Sequence, residues 1–174
     1  GSEVTPIAIV TTGAAEKKGV VAPQLLPDLA VLDATLTTGL PAAVTAATGI
    51  DAMVHAIEAY TSKHRKNPLS DCLAREALRR LGANIRTACV EPGNIEARGE
   101  MLFGSMLAGM AFANAPVAAV HALAYPLGGH FHVPHGLSNA LVLAHVLEYN
   151  RPAAADLYAE IAPLIFPGLE IGRA

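Results

Sequence analysis

The pattern of apolar and polar residues changes near residue 39. Before it, two short apolar runs at 6–12 and 29–33 are typical of strands, and a polar connection separates them. After it, no run is typical of a strand, and alanine-rich segments with helical spacing of apolar residues predict helices. Two strands alone are only marginally stable in water. We therefore expect the first 38 residues to be strands whose sheet partners lie outside this chain.

Proline and glycine divide the helical region into segments. Pro41 suits the first turn of a helix, and the segment that it opens ends at Gly49. A second segment begins at Ile50. The remaining helices are expected over 67–88, 95–114, 116–126, 137–149 and 153–165.

Two of these helices have clear starts and faces. Asn67-Pro68 starts one, and Asn94 is the predicted N-cap of the next. The first is amphipathic and is expected to pack its apolar face on a core. That face consists of Leu69, Cys72, Leu73, Ala77, Leu78 and Leu81. The second becomes apolar on all sides after Glu100, which is typical of a central buried helix.

Residues 101–129 carry no formally charged side chain, and a run of this length would cross a bilayer. The run is broken by Asn114-Ala115-Pro116 and contains His121. We therefore predict two buried helices that meet at a turn, and we expect no membrane as a partner.

Composition and charge narrow the classes of function. The formal net charge is −3, from 12 Lys and Arg against 15 Asp and Glu, and no basic run is present. This balance argues against nucleic acid or an anionic membrane surface as a partner. Cys72 and Cys89 are too few for a disulfide framework. We expect both to be buried as small apolar side chains in a reducing, cytoplasmic compartment.

The residues with metal-binding chemistry lie in two stretches. Asp51 and His55 are four residues apart on a predicted helix and therefore share one face. The uncharged stretch 120–136 holds four histidines, His121, His130, His132 and His135. A carboxylate with imidazoles suits Fe(II) or Zn(II). Spacing does not select which histidines converge, and packed core histidines or a surface hydrogen-bonded pair are the alternatives.

Three stretches resemble a known family. They are LPAAVTAATGIDAMVHAIEAYTS at 40–62, MLFGSMLAGMAFANA at 101–115 and VHALAYPLGGHFHVPHGLSNALVL at 120–143. They resemble the iron-containing alcohol dehydrogenases, the metal-dependent group III family, in the family's order along nearly the whole chain. The resemblance implies an all-helical metal-binding domain of the dehydroquinate synthase-like type over 39–174. It also implies that 1–38 is the end of an α/β cofactor-binding domain and that both ends are incomplete.

The resemblance also implies roles for individual residues. The family's metal ligands fall on Asp51, His55, His121 and His135. Its pocket positions beside the substrate fall on Phe112 and Tyr125. Its cofactor-binding positions fall on Ser2, Thr5 and Lys18. Because many members carry histidine where this chain has Tyr125, a histidine-based proton relay is not implied.

The implied reaction is metal-assisted hydride transfer between a primary alcohol or aldehyde and NAD or NADP, with Fe(II) or Zn(II) as the metal. The family's glycine-rich phosphate-binding loop lies in a domain that precedes GSEVT, the first five residues here. We therefore expect this chain to be a segment that is inactive in isolation. The full-length protein is expected to be a homo-oligomer, a dimer by resemblance.

Three alternatives stay open. Maleylacetate reductase is a related family that works without this metal, but its motif replaces the ligand carboxylate that Asp51 provides here. Zinc-dependent glycerol dehydrogenase is another relative and is less similar over 121–135. A non-catalytic helical domain, stabilised by a metal and serving as an interaction module, is the alternative outside the enzymes.

Overall fold

The computed structural model describes residues 1–12 and 16–168. In this part of the chain, five α-helices follow a short antiparallel strand pair, which confirms the prediction of a mainly α fold. The helices are α1 (Ala42–Tyr60), α2 (Pro68–Val90), α3 (Ile95–Asn114), α4 (Ala119–Phe131) and α5 (His135–Ile165). The strands are β1 (Ile7–Thr12) and β2 (Glu16–Val21), and short 3₁₀ turns lie at Ser2–Val4, Pro23–Leu25 and Ala34–Thr37.

One of the two predicted strands is wrong. β1 forms where expected, but its partner β2 lies in the polar connection, with Ile7 opposite Val21. Residues 29–33 form no strand, and Leu29 and Val31 are 78% and 76% exposed. A hairpin gives the backbone of β1 an immediate hydrogen-bonding partner, whereas 29–33 pairs with no strand in the described residues.

The starts of α2 and α3 are where the caps predicted them. The side chain of Asn67 accepts the N–H of Ser70 at 3.0 Å, and Pro68 occupies the first turn of α2. The side chain of Asn94 accepts the N–H of Ala97 at 3.0 Å at the start of α3. Each asparagine thereby pairs an N–H that has no partner within the helix.

The predicted bounds of α1, α4 and α5 are wrong. α1 runs through Gly49 without a break, and α5 runs through Pro152 as one helix. α4 begins at Ala119 instead of Pro116 and continues through Pro126. Gly49 meets a packing need, because a Cβ there would lie 2.7 Å from Cε of Met101 on α3.

The core lies where α1, α2 and α3 pack together. Leu78 and Leu81 of α2 are fully buried, as the helical pattern predicted. Leu69 and Cys72 are exposed, so the buried face of α2 is displaced around the helix from the predicted one. Cys89 is half-buried, and the expectation of two buried cysteines is wrong.

The apolar run at 101–129 belongs to two helices. Within the described residues, no single helix has the length and apolar composition to cross a membrane. α3 and α4 reach that length and composition only as a pair, and their axes differ by 108° across the break.

Gly136, at the start of α5, lies against the backbone of α1. A Cβ on Gly136 would overlap the carbonyl oxygen of Ala47 and lie 2.6 Å from its carbonyl carbon. We expect Gly136→Ala to lower the free energy of unfolding by about 1–3 kcal/mol, because backbone cannot yield as a side-chain tip can. Denaturant unfolding measures this, with Gly93→Ala as the control, since a Cβ at Gly93 meets nothing within 4 Å. Equal stabilities for the two variants would contradict the close contact.

Candidate metal centre

Three of the four predicted ligands come from two helices, α1 and α4. Asp51 and His55 lie one turn apart on α1, and His121 lies in the first turns of α4. One ligand atom from each of these three residues lies within 4.8 Å of the others. A carboxylate oxygen and two imidazole nitrogens at this separation fit a divalent ion of the Fe(II) or Zn(II) type.

His135 lies at the rim of this donor group. It is the first residue of α5, and its Nε2 atom lies 3.5 Å from Oδ1 of Asp51. The ring centroids of His135 and His121 are 5.5 Å apart. Its side chain is 41% exposed, whereas that of His121 is 3% exposed. The structure therefore brings all four predicted ligands to one place, with His135 on the open side.

The two other histidines of the 120–136 stretch lie outside the donor group. His130 contacts Phe131, its neighbour in sequence, with ring centroids 6.5 Å apart. His132 follows the end of α4 with φ of 55°, a left-handed conformation that is uncommon outside glycine. Neither is among the described residues whose donor atoms converge.

Burial and charge set different protonation states in the centre. Burial lowers the pKa of His55 to about 4, although the charge of Asp51 opposes this. Burial also acts to lower the pKa of His121, but hydrogen bonds and charge attraction from Asp51 and Glu58 outweigh it and raise the pKa to about 9. Burial acts to raise the pKa of Asp51, yet the neighbouring imidazoles lower it. At neutral pH the centre thus presents a carboxylate and a neutral imidazole, and His121 must release a proton when a cation binds.

The two predicted pocket residues flank the donor group. Phe112 of α3 stacks on His55, with ring centroids 4.8 Å apart and planes at 14°. His55 in turn stacks on His121, with ring centroids 4.6 Å apart and planes at 16°, so the three rings form a continuous stack. Tyr125, which is 38% exposed, lies on the other side, with its ring 6.2 Å from that of His135.

The predicted cofactor-binding residues lie at the N-terminal end of the chain. Ser2 is exposed, and Thr5 is buried, with its hydroxyl donating to the carbonyl of Ser2 at 3.3 Å. This segment packs on α3, because Gly109 lies directly against Gly1. Lys18 is exposed on β2, opposite Val10 of β1. Their role in binding a cofactor stays a prediction.

Two residues of the centre were not predicted from the sequence. Glu58 of α1 is 4% exposed, and its carboxylate lies 2.7 Å from Nδ1 of His121. Asn139 of α5 is fully buried, and its Nδ2 donates to Oδ1 of Asp51. The same Nδ2 lies 3.3 Å from Nε2 of His121 and 3.3 Å from Nε2 of His135. Asn139 therefore lies in contact with three of the four candidate ligands.

Comparison with known proteins places the chain in a family. Residues 45–170, well over half of the chain, match the family described as "Fe-containing alcohol dehydrogenase family, C-terminal". The chain belongs to the iron-containing alcohol dehydrogenase family. Within this family it is 44% identical over 165 residues to 1,3-propanediol dehydrogenase of Klebsiella pneumoniae. It is 48% identical over 161 residues to Long-chain-alcohol dehydrogenase 1 of Geobacillus thermodenitrificans (strain NG80-2).

These matches cover most of the chain and less than half of each relative. They span 94% and 92% of this chain, but 42% and 40% of the two dehydrogenases. The chain therefore has about two fifths of the length of the curated relatives that it matches. It corresponds to the C-terminal part that the family description names.

Solved structures of iron-containing alcohol dehydrogenase relatives share this fold. A crystal structure of 1,3-propanediol oxidoreductase superposes with a TM-score of 0.90 at 44% identity, over 97% of this chain and 44% of that one. Maleylacetate reductase from Rhizobium sp. strain MTP-10005 superposes with a TM-score of 0.86 at 33% identity, over 94% of this chain and 46% of that one. The resemblance found in the sequence is confirmed.

Proposed function

We propose that this chain is the metal- and substrate-binding part of an oxidoreductase that transfers hydride between a primary alcohol or aldehyde and NAD or NADP. The observation that carries the proposal is the convergence of Asp51, His55 and His121, with Phe112 stacked beside them. Membership of the iron-containing alcohol dehydrogenase family and its dehydrogenase relatives support the reaction class.

The donor set fits a divalent cation by its chemistry. Asp51, His55, His121 and His135 would hold the ion with one oxygen and three nitrogen donors, a mixture that Fe(II) and Zn(II) both accept. Such an ion supplies Lewis acidity, which lowers the pKa of an alcohol hydroxyl and polarises an aldehyde carbonyl. The exposed edge at His135 leaves the centre open on one side, where a small substrate has access.

Two aromatic residues bound the centre, Phe112 beside His55 and Tyr125 beside His135 on the open side. Phe112 keeps water from one face of the ring stack, because it is only 9% exposed and covers His55. Burial raises the pKa of Tyr125, and the charges of Asp51 and Glu58 add to this effect. The Tyr125 hydroxyl therefore remains protonated near neutral pH and acts as a hydrogen-bond donor to a substrate oxygen.

We further propose the setting in which this part of the protein works. A short alcohol or aldehyde is proposed as the substrate, by analogy with 1,3-propanediol dehydrogenase of Klebsiella pneumoniae. The net charge of −3 and the free cysteines are consistent with a cytoplasmic protein whose partners include neither nucleic acid nor membrane. A homodimer is proposed for the full-length protein, by analogy with the family.

A chimeric enzyme tests the reaction. The matching segment of the Klebsiella pneumoniae 1,3-propanediol dehydrogenase would be replaced by this chain, which aligns with it over 165 residues. We expect the chimera to transfer deuterium from a short primary alcohol, labelled at its carbinol carbon, to NAD. His121→Ala in the chimera is expected to lower turnover by at least about 100-fold, because stabilisation of the transition state by several kcal/mol is lost with the ion.

His145→Ala serves as the matched control, because His145 lies exposed on α5, outside the donor group. It is expected to retain both metal and turnover. A folded chimera that holds metal but transfers no deuterium from any alcohol would overturn the proposed reaction. That result would favour a helical domain in which a metal serves stability alone.

A further inference from the structure

Glu58 is a charged residue in the interior, and its two oxygens have different partners. It is 4% exposed, and no Lys or Arg is paired with it among the described residues. Oε1 accepts the backbone N–H of Val120 at 2.7 Å, and Oε2 lies 2.7 Å from Nδ1 of His121. A buried carboxylate is costly unless its oxygens are paired. Here both partners belong to α4.

The first contact ties the start of α4 to α1. Val120 is in the first turn of α4, where backbone N–H groups have no partner within the helix. The N-cap residue, Ala118, offers no side-chain hydrogen bond. Glu58 of α1 therefore caps the N-terminus of α4. This contact fixes where along α1 the first turn of α4 lies.

The second contact selects one ring nitrogen of His121. A carboxylate oxygen only accepts hydrogen bonds, so Nδ1 carries a proton and the lone pair of the neutral ring is on Nε2. Nε2 lies 3.4 Å from Oδ1 of Asp51 and 3.3 Å from Nδ2 of Asn139, on the side of the donor group. Carboxylates face both ring nitrogens, but the contact is 2.7 Å at Nδ1 and 3.4 Å at Nε2, so Glu58 binds the proton more closely. The amide of Asn139 donates toward Nε2, which also favours the lone pair there.

We propose that Glu58 is a positioning residue that holds His121 in the Nδ1–H tautomer and directs the Nε2 lone pair into the metal centre. It does so while capping α4, so that one side chain sets both the tautomer of the ligand and the position of its helix. The consequence for metal binding rests on the proposed function, whereas the tautomer does not. Carboxylates that orient metal-binding histidines in this way commonly change metal affinity by about 10- to 100-fold.

Glu58→Gln tests the role with almost no change in side-chain shape. Glutamine has one acceptor oxygen for two donors, the N–H of Val120 and the N–H of His121. If its oxygen keeps Val120, its NH₂ group faces Nδ1, and His121 must move its proton to Nε2. We therefore expect the tautomer to reverse and the Kd for Zn(II) to rise by about 10- to 100-fold.

The first measurement is ¹⁵N NMR of the imidazoles in the metal-free chain over a pH series, read at a pH where the spectra show the His121 ring to be neutral. The His121→Gln variant identifies the resonances. We expect a protonated Nδ1 in the wild type and a protonated Nε2 in Glu58→Gln. A wild type with a protonated Nε2 and an unprotonated Nδ1 would overturn the proposal. This test needs only the wild type, so it remains valid even if Glu58→Gln fails to fold.

The second measurement is Zn(II) affinity, with Glu148→Gln as the control, because the side chain of Glu148 is 68% exposed on α5. Equal affinities for wild type and Glu58→Gln would overturn the positioning role and leave the proposed function intact. A wild type that shows the Nδ1–H tautomer but binds no zinc would support the positioning geometry and count against the proposed metal function. The two proposals therefore fail in different ways.

Discussion

Asp51→Asn is expected to raise the Kd of this chain for Zn(II) by at least about 100-fold. Two unit charges about 4 Å apart attract by about 4 kcal/mol at an effective dielectric of about 20, and 4.1 kcal/mol corresponds to about 1,000-fold in Kd. Asparagine keeps the shape of aspartate and removes its charge. Its carbonyl oxygen still accepts the N–H of Asn139, which donates to Oδ1 of Asp51 in the wild type. The fold should therefore survive while the affinity falls.

The measurement is equilibrium dialysis against zinc with metal analysis of the folded protein. Asp156→Asn is the control, since Asp156 lies exposed on α5 and also loses one negative charge. We expect the control to bind zinc as the wild type does, which separates ligation from a change in overall charge. An unchanged affinity in Asp51→Asn would show that the ion is not held by this carboxylate.

The sequence predicts the ligands on α1 better than those on α4 and α5. Asp51 and His55 are four residues apart, and a helix places such residues on one face whatever surrounds it. That His121 and His135 reach the same place depends on how α1, α4 and α5 pack, which spacing does not encode. The resemblance to the family supplied those two residues. The structure brings them within 3.4 and 3.5 Å of Oδ1 of Asp51, measured from their Nε2 atoms.

The sequence positions of Glu58 and Asn139 indicate that both residues lie near the predicted ligands. Glu58 is three residues after His55 and seven after Asp51, so it shares the face of α1 that holds both predicted ligands. Asn139 follows His135 by one helical turn. A glutamate within an apolar helix is readily taken for an exposed residue, because burial of its charge depends on partners from a distant part of the chain. Val120 and His121 are those partners.

The errors in the fold have a common physical origin. Caps are local, so Asn67 and Asn94 predicted the starts of α2 and α3 correctly. Breaks are not local, because a glycine or proline interrupts a helix only when packing does not favour its continuation. Gly49 lies in α1 close to the side-chain ends of Met101 and Ile85, which would lie 2.7 and 2.9 Å from a Cβ at this position. The second strand was misplaced for a similar reason, since the apolar character of 29–33 does not supply a neighbouring strand.

Leu81→Ala is expected to lower the free energy of unfolding by about 2–5 kcal/mol. Leu81 of α2 is fully buried where α2 packs on α3. Its Cγ atom would lie 2.8 Å from a Cβ placed on Gly104. The leucine side chain therefore occupies the space that a side chain at position 104 would need. Removal of the leucine side chain leaves a cavity that the rigid backbones of two helices cannot close.

Because Leu81 and Gly104 are in close contact, we expect the effects of substituting both residues to be non-additive. Gly104→Ala alone is expected to destabilise the protein, because its methyl group collides with Leu81. In Leu81→Ala/Gly104→Ala the same methyl group enters the space that the leucine has left. The double variant should therefore be more stable than the sum of the single effects allows, with a coupling energy of about 0.5–3 kcal/mol.

Denaturant unfolding of the wild type, the two single variants and the double variant measures this coupling energy. The control is Leu69→Ala, at a position 62% exposed on the same helix, which should change the free energy of unfolding by less than about 0.5 kcal/mol. Strict additivity would show that Leu81 and Gly104 do not pack against each other, whereas a favourable coupling places the contact between α2 and α3 at this pair.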